Sequence, residues 1–355
     1  MIIPPYLLRH LAGVTDPAFA SAASAARASL AVDRPFRGIR LGESAPPSAA
    51  HRSLAARSIE PVKRAIYDAG HREALPGTLV RADGDDPGTD LAVTEAWDGL
   101  GHTHDLFAQV YGRASIDDAN LPLDATVHYG RDYDNAFWDG ERMVFGDGDE
   151  VVFTRMTASA SVIGHELAHG VTQHSADLVY EGQSGALNES VSDVFGALVE
   201  QRSLGQDATS ASWLIGVGIF TDQVQGDALR SMKAPGTAYD DDVLGKDPQP
   251  AHFSGYIETE DDYGGVHLNS GIPNHAFYLA ATAIGGQAWE GAGRIWYDTL
   301  TGGTLRPAAT FAEFAAATAD AASARFGAES AEHRAVAEAW AAVGVIARPA
   351  PAPAS

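Results

Sequence analysis

The chain has 355 residues, 45% of them hydrophobic, no cysteine, and a formal net charge of −23 from 24 basic and 47 acidic side chains. That length suits a soluble globular protein with a sizeable core, room for two domains and an appendage, while the missing cysteines exclude disulfides and thiolate metal sites. So acidic a surface repels phosphate backbones, and no run approaches the ~18 apolar residues of a membrane span, so neither nucleic acid nor a membrane is an expected partner.

Residues 1–60 differ in texture from the rest. The start, MIIPPYLLRHLAGV, lacks a basic region and carries prolines where an apolar signal core would stand, so it does not read as an ordinary signal peptide. An Ala/Ser-rich stretch predicts a helix over 17–32, and an Arg-dotted segment follows, ending in Ala45-Pro46-Pro47-Ser48. Such a segment is too small for its own core and reads as an appendage joined by a linker. Tyr6, Leu7, Leu8, Leu11 and Phe19 make it more apolar than a disordered tail.

From 61 to 152 the pattern changes to short β-like runs and many Gly/Asp turns, with strands predicted over 126–129 and 142–145 and a helix over 90–111. Beyond 184 helical periodicity dominates, over 187–204, 272–284, 288–300, 311–326 and 330–343. The end, RPAPAPAS over 348–355, is proline-rich and expected to be mobile. No internal repeat is present.

The chemistry concentrates in SASVIGHELAHGVTQH, residues 159–174. Val162, Ile163, Leu167, Ala168 and Val171 give a helix an apolar side, and Ser159 or Ser161 can cap its start. Gly170 is compatible with that helix if something packs closely against it. In His165-Glu166-Leu167-Ala168-His169 the two histidines are four residues apart, one above the other on a helix face, and both imidazoles can reach one metal ion. Glu166 lies one step round, close to the ion without ligating it, as a general base would. The alternative is coincidence, two surface histidines flanking a glutamate.

Two histidines leave a zinc ion short of a protein ligand. Glu189, in GALNESVSD, lies 20 residues after His169, enough for a loop and a returning helix, and can complete a His2Glu set with a fourth position open to water. Asp193, four residues further on, faces the same way and can accept the spare N–H of a ligating histidine. Taken alone, Glu189 and Asp193 could equally be a solvated helix face; beside HELAH they read as metal-site residues.

HELAHGVTQH, Tyr180, GALNESVSD, LRSM and GGVHLNSGI, in this order, resemble the thermolysin-like zinc endopeptidases over residues 66 to 345. The leading Pro-Pro-Tyr-Leu is similar to the protealysin-type branch, whose precursors carry a short N-terminal propeptide. The resemblance implies zinc on His165, His169 and Glu189, with Glu166 as base. It implies Tyr180 and His267 as donors to the tetrahedral oxyanion, Asp262 orienting His267, and Asp193 behind the zinc ligands. Arg230 would bind a substrate carbonyl, and Asn135 with the Ala136 backbone would grip the peptide. Phe153, Met156, Val162 and Leu229 stand where the family lines the pocket for the residue after the scissile bond, which implies cleavage before bulky apolar residues; ordinary core packing is the alternative.

The fold so implied is α+β and two-lobed: a β-rich lobe over 61–180 carrying the HExxH helix, an all-helical lobe over 181–347, zinc in the cleft between them, the propeptide-like segment over 1–60 and the tail over 348–355. The expected protein is a monomeric zinc endopeptidase made as a zymogen, with protein and peptide substrates and its own N-terminal propeptide as partners. It would be secreted by a route that does not use an ordinary signal peptide, or else be cytoplasmic. The competing readings are a catalytically inactive zinc-binding or adhesion module on the same fold, and a peptidase-like regulator acting through its N-terminal segment. The family's calcium cluster falls on Ser161, Glu200, Ser212, Leu214 and Val217, where only Glu200 keeps a carboxylate. Calcium takes roughly six to eight oxygens, several of them anionic, so that site should be lost or very weak. Thr221 with Asp227 is a weaker calcium candidate, or simply a polar turn.

Overall fold

In a computed structural model of the chain, which describes residues 1–38 and 58–347, the first two helices, α1 (Pro5–Ala12) and α2 (Ala20–Gly38), form an antechamber to the rest. Pro5 at the first helical position costs α1 nothing, because that N–H has no helical partner anyway. The pair has no core of its own, as its size predicts. Instead Ile2, Ile3, Leu7, Leu8 and Leu11, each at most 1% exposed, join the main apolar core. Each such side chain stabilises the docked state by about 1.5–3 kcal/mol relative to exposure. The joint expected at Ala45-Pro46-Pro47-Ser48 and the tail over 348–355 lie outside the described residues.

The next lobe is a five-stranded mixed sheet in the order β2-β1-β3-β5-β4, from β1 (Arg64–Asp68), β2 (Thr78–Ala82), β3 (Leu123–Val127), β4 (Ala136–Trp138) and β5 (Met143–Phe145). The three inner strands run parallel and each edge strand is antiparallel to its neighbour. The strand predicted over 126–129 is instead β3, which stops at Val127 because His128 turns into the left-handed region at φ 53°. The predicted 90–111 helix is α3 (Leu91–Asp105), with Asp90 as its cap accepting from the Val93 N–H; one wide π-helical turn, Leu106–Val110, continues it. The five strands pack against two long helices, α3 and α4 (Ala160–Gln173), as the expected α+β lobe with the HExxH helix requires.

The second lobe holds α5 (Gly182–Leu204), α6 (Asp262–Asn269), α7 (Gly271–Ile284), α8 (Ala292–Thr301), α9 (Phe311–Phe326) and α10 (Ala331–Ala342). Trp296 and Trp340, both fully buried, stack at 6.2 Å with Phe314 edge-on to each, which ties α8, α9 and α10 into one core. This is the helical lobe the sequence led one to expect. Two short ribbons interrupt it, β6 (Leu214–Ile215) with β7 (Arg230–Ser231) and β8 (Asp240–Asp241) with β9 (Gly245–Lys246), in a Gly/Asp-rich stretch without helical periodicity. Among the described residues no helix is long and apolar enough to cross a membrane.

The contact that positions the site is the packing of α4 on α5. Gly164 and Gly196 face each other there: a Cβ on Gly196 would come within 2.4 Å of the Ser161 carbonyl, and one on Gly164 within 3.0 Å of Gly196 Cα. Only glycines let the two backbones approach so closely. Gly170 serves the same end on the opposite face, since a Cβ there would meet Ile116 at 2.6 Å.

Candidate active site

Helix α4 is buried along Ser161 to Thr172, and it brings its histidines to α5 from below. Ser159 stands at its N-cap position, but neither serine caps it as expected. The Ser159 and Ser161 hydroxyls bond each other at 2.9 Å, and Ser161 Oγ also accepts from the Gly216 N–H. The two Nε2 atoms of His165 and His169 converge to 3.1 Å. Glu189, fully within the cleft on α5, places one carboxylate oxygen 3.4 Å from His165 Nε2 and the other 3.5 Å from His169 Nε2. Ligand atoms at ~2.0–2.1 Å around a tetrahedral zinc stand roughly 3.3 Å apart, and the three groups lie close to that spacing, with a different Glu189 oxygen facing each imidazole. The residues present fit the ion.

What lies behind the three groups fixes their roles. His165 Nδ1 donates to Asp193 Oδ1 at 2.7 Å, which leaves Nε2 as the metal-facing lone pair. Asp193 in turn accepts both Arg230 Nε and Nη2, at 2.9 and 2.8 Å, and the Asn274 amide at 2.8 Å. Burial pushes the Asp193 carboxyl up, but Arg230 and His165 outweigh it and bring its pKa down to about 2. His169 Nδ1 lies 2.7 Å from Asn188 Oδ1 and 3.1 Å from Ser192 Oγ. Sequence reasoning missed this pair, although Asn188 and Ser192 share the four-residue spacing of Glu189 and Asp193 and so lie on one face. For Glu189, burial is likewise outweighed by the surrounding imidazoles, His267, His169 and His165, and its pKa sits well below the carboxylate range.

Glu166 stands beside the two histidines, one ligand atom of each of the three within 4.8 Å of the others. Its Oε2 accepts the Trp138 backbone N–H from β4 at 3.0 Å. Opposite, Tyr180 OH donates to Glu189 and lies 3.4 Å from His267 Nε2. Asp262 grips His267 twice, accepting from its backbone N–H at 3.0 Å and from ring Nδ1 at 2.8 Å. That double grip needs a sharp turn, and Tyr263, Gly264 and Gly265 supply it with φ of 53°, 83° and 71°. The paired glycines of DYGGVH are the residues that adopt it without strain.

The start of the chain runs through this cleft. The Met1 ammonium ion-pairs Glu166 Oε1 at 3.0 Å, and the Met1 carbonyl lies 3.1 Å from His267 Nε2. The Ile2 N–H donates to the Ala136 carbonyl at 3.2 Å, and the Ile2 carbonyl accepts from Arg230 Nη1 at 3.1 Å. Ile3 pairs with the Asn135 side chain in both directions, N–H to Oδ1 at 2.9 Å and Nδ2 to carbonyl at 3.3 Å. Helix α2 reinforces that edge. Asp33 accepts from Tyr133 OH at 2.6 Å and Asn135 Nδ2 at 2.9 Å, and Ser29 Oγ accepts from the Asp134 N–H at 2.9 Å. The Ile2 side chain is fully buried, and Phe153, Met156, Val162 and Leu229, each at most 1% exposed, belong with it to the main apolar core.

The predicted polar site residues are thus at the cleft, and Phe153, Met156, Val162 and Leu229 are buried in the main apolar core. Ser161 and Glu200 do adjoin, but burial pushes the Glu200 carboxyl up and its partner is the neutral Ser161. Thr221 donates its hydroxyl to the Val151 carbonyl, and the Asp227 N–H bonds the Ala238 carbonyl. Among the described residues, the groups of three or more metal-capable side chains are His165 with Glu166 and His169, and His71 with His128 and Asp147; none includes a calcium candidate.

Two family profiles match the chain, "Thermolysin metallopeptidase, catalytic domain" over residues 55–173 and "Thermolysin metallopeptidase, alpha-helical domain" over 176–345. An "Extracellular metalloprotease" of Pectobacterium carotovorum subsp. carotovorum is 54% identical over 285 residues, covering 80% of this chain and 82% of that protein. "Protease PrtS" of Photorhabdus sp. (strain Az29) is 52% identical over 257 residues, 72% of this chain and 69% of its own. Among solved structures, the precursor of protealysin, a metalloproteinase from Serratia proteamaculans, superposes with a TM-score of 0.86 at 49% identity, covering 97% of this chain and 99% of that one.

Proposed function

Because the chain belongs to the thermolysin family of metallopeptidases, we infer that it is a secreted zinc endopeptidase whose residues 1–60 act as an inhibitory propeptide. One observation carries the reading: the chain's own first three residues lie extended across the cleft, with the peptide bond between Met1 and Ile2 beside Glu166 and His267.

The roles follow from those contacts. Asn135 and the Ala136 carbonyl hold the substrate backbone extended, and Arg230 fixes the carbonyl after the scissile bond. His165, His169 and Glu189 would hold the zinc, which when bound supplies a Lewis acid that acidifies water and polarises the scissile carbonyl. Glu166 accepts the proton of the attacking water and returns it to the leaving amine. Tyr180 OH donates to the oxygen that gains charge, His267 Nε2 faces the same oxygen, and Asp262 fixes the orientation of the His267 ring by accepting its Nδ1 proton. These donors are aligned before reaction by groups that are themselves buried, so little reorganisation is needed.

In the precursor the same contacts serve the N-terminal segment. Met1 and Ile2 take the places of the residues flanking a scissile bond, and α1 and α2 anchor them through the apolar core. Burial of Ile2 supports a preference for a bulky apolar residue after the cleaved bond. An inactive binding module is not favoured, since nothing but hydrolysis would need a base, oxyanion donors and a peptide-gripping edge together.

The test uses chain freed of residues 1–60 and quenched peptides that differ only after the central bond. Leucine, isoleucine or phenylalanine there should exceed aspartate by at least about 100-fold in kcat/KM, and o-phenanthroline should abolish hydrolysis. Equal rates for all four peptides would overturn the apolar pocket, and no hydrolysis at all would overturn the enzyme.

A further inference from the structure

The C-terminal ends of the parallel strands carry a second set of metal-capable side chains, none of them among the residues proposed to hold the catalytic zinc. His71 follows β1, His128 follows β3, and Asp147 lies in the Gly-Asp-Gly-Asp turn after β5. The backbone fixes the two histidines against each other: the His71 N–H donates to the His128 carbonyl at 2.9 Å, and both residues adopt the left-handed conformation, at φ 57° and 53°. His128 Nδ1 lies 2.8 and 3.0 Å from the two Asp147 oxygens, and His71 Nδ1 lies 3.4 Å from Asp147 Oδ2. One ligand atom from each of the three falls within 4.8 Å of the others.

We propose that His71, His128 and Asp147 form a second binding site for a zinc-class divalent metal ion, separate from the catalytic cleft. The donor set is two imidazoles and one carboxylate, which suits zinc, nickel or copper rather than calcium or magnesium. The separation of His71 from Asp147 already matches the roughly 3.3 Å edge of a tetrahedral site, and His128 need withdraw by only about half an ångström. Behind His128, Nε2 lies 2.9 Å from Asp90 Oδ2 at the start of α3, so a carboxylate is in place to orient the ring and leave Nδ1 toward the ion. The fourth position faces solvent, since the His71 side chain is 58% exposed.

The effect of a bound ion would be mechanical. The Asp147 turn is tied to the substrate edge, Gly146 N–H to the Asn135 carbonyl at 3.0 Å and Gly148 N–H to the Tyr133 carbonyl at 3.2 Å. A metal clasp would fasten that turn to the ends of β1 and β3.

The experiment is equilibrium dialysis of the untagged full-length chain, carrying its first zinc, against rising Zn2+ at pH 7.5. A second equivalent should bind at roughly 100 µM Zn2+ or below. H71A, at a half-exposed turn, should weaken that equivalent at least tenfold and leave the first untouched, and D147N should do the same. Crystals soaked in Zn2+ should show an anomalous peak between the three side chains. A second equivalent that persists unchanged in both variants, or none at all in wild type, would overturn the proposal and leave His128 as the centre of an ion pair only.

Discussion

The α-amino group of Met1 lies 3.0 Å from Oε1 of Glu166, with both groups within 4% of complete burial. The carboxylate that should take a proton from water is engaged by a fixed cation from the chain's own start. If Ile2 holds a substrate position, as proposed above, inhibition depends on the burial of its side chain as well as on the amine.

Ile2→Asp is therefore expected to unlatch the segment. A carboxylate in that apolar cluster would lose the hydrophobic contribution and add an unpaired buried charge, several kcal/mol in total. The full-length I2D chain should hydrolyse small peptides at least about tenfold faster than the full-length wild type while retaining its fold by circular dichroism. An I2D precursor as inert as wild type would show that α1 and α2 block the cleft without the first three residues.

Asp193→Asn tests the support behind the zinc ligands. Asp193 orients His165 and is itself held by Arg230 and Asn274. An amide in its place keeps the shape but removes the charge that makes His165 a better ligand. Zinc affinity should fall about 10–100-fold, measured by competition with a chromophoric chelator. Unchanged affinity would make Asp193 a partner of Arg230 alone.

The spacing of the proposed ligands was legible because a helix turns four residues into one face, which served for His165 with His169; Glu189 and Asp193, a solvated face just as well on their own, gained meaning only beside that pair. The Asp262 to His267 turn was visible only as a pair of glycines, since the left-handed run that makes it defeats helical periodicity. The grip of Asp33 on Asn135, 102 residues apart, and of Met1 on Glu166 left no local signature at all. The apolar residues of the N-terminal segment argued against a disordered tail but did not tell where it would pack. Ribbon β6–β7, which delivers Arg230, is too short to leave an alternating pattern.

Asp134→Asn is expected to stabilise the precursor at neutral pH. Asp134 is fully buried, and burial first, then the Asp149 and Asp132 carboxylates, push its pKa well above the usual range. A raised folded pKa means that its contribution to stability is intact below the unfolded value near 4 and is lost as pH rises. Asparagine removes that loss. The melting temperature should rise by roughly 2–5 °C at pH 7.5 and hardly at all at pH 4. A rise of the same size at both pH values, or a fall at pH 7.5, would contradict the assignment.

Calcium removal should matter little. At the family's calcium positions Glu200 is held as a raised-pKa carboxyl against Ser161, and Leu214 and Val217 supply no side-chain oxygen. EGTA at neutral pH should lower the melting temperature by only about one or two degrees, whereas a zinc chelator should abolish activity. A drop of about ten degrees, reversed by calcium alone, would reveal a site built from other ligands.

The most direct test of the whole account is Glu166→Gln, with zinc content and peptidase rate measured on one preparation freed of residues 1–60. Glutamine can still accept the Trp138 N–H, and the three metal-facing residues are untouched, so fold and metal should stay. The account expects one zinc per chain and a rate lower by about 10²–10⁴. Full zinc with a rate within about tenfold of wild type would contradict Glu166 as the base.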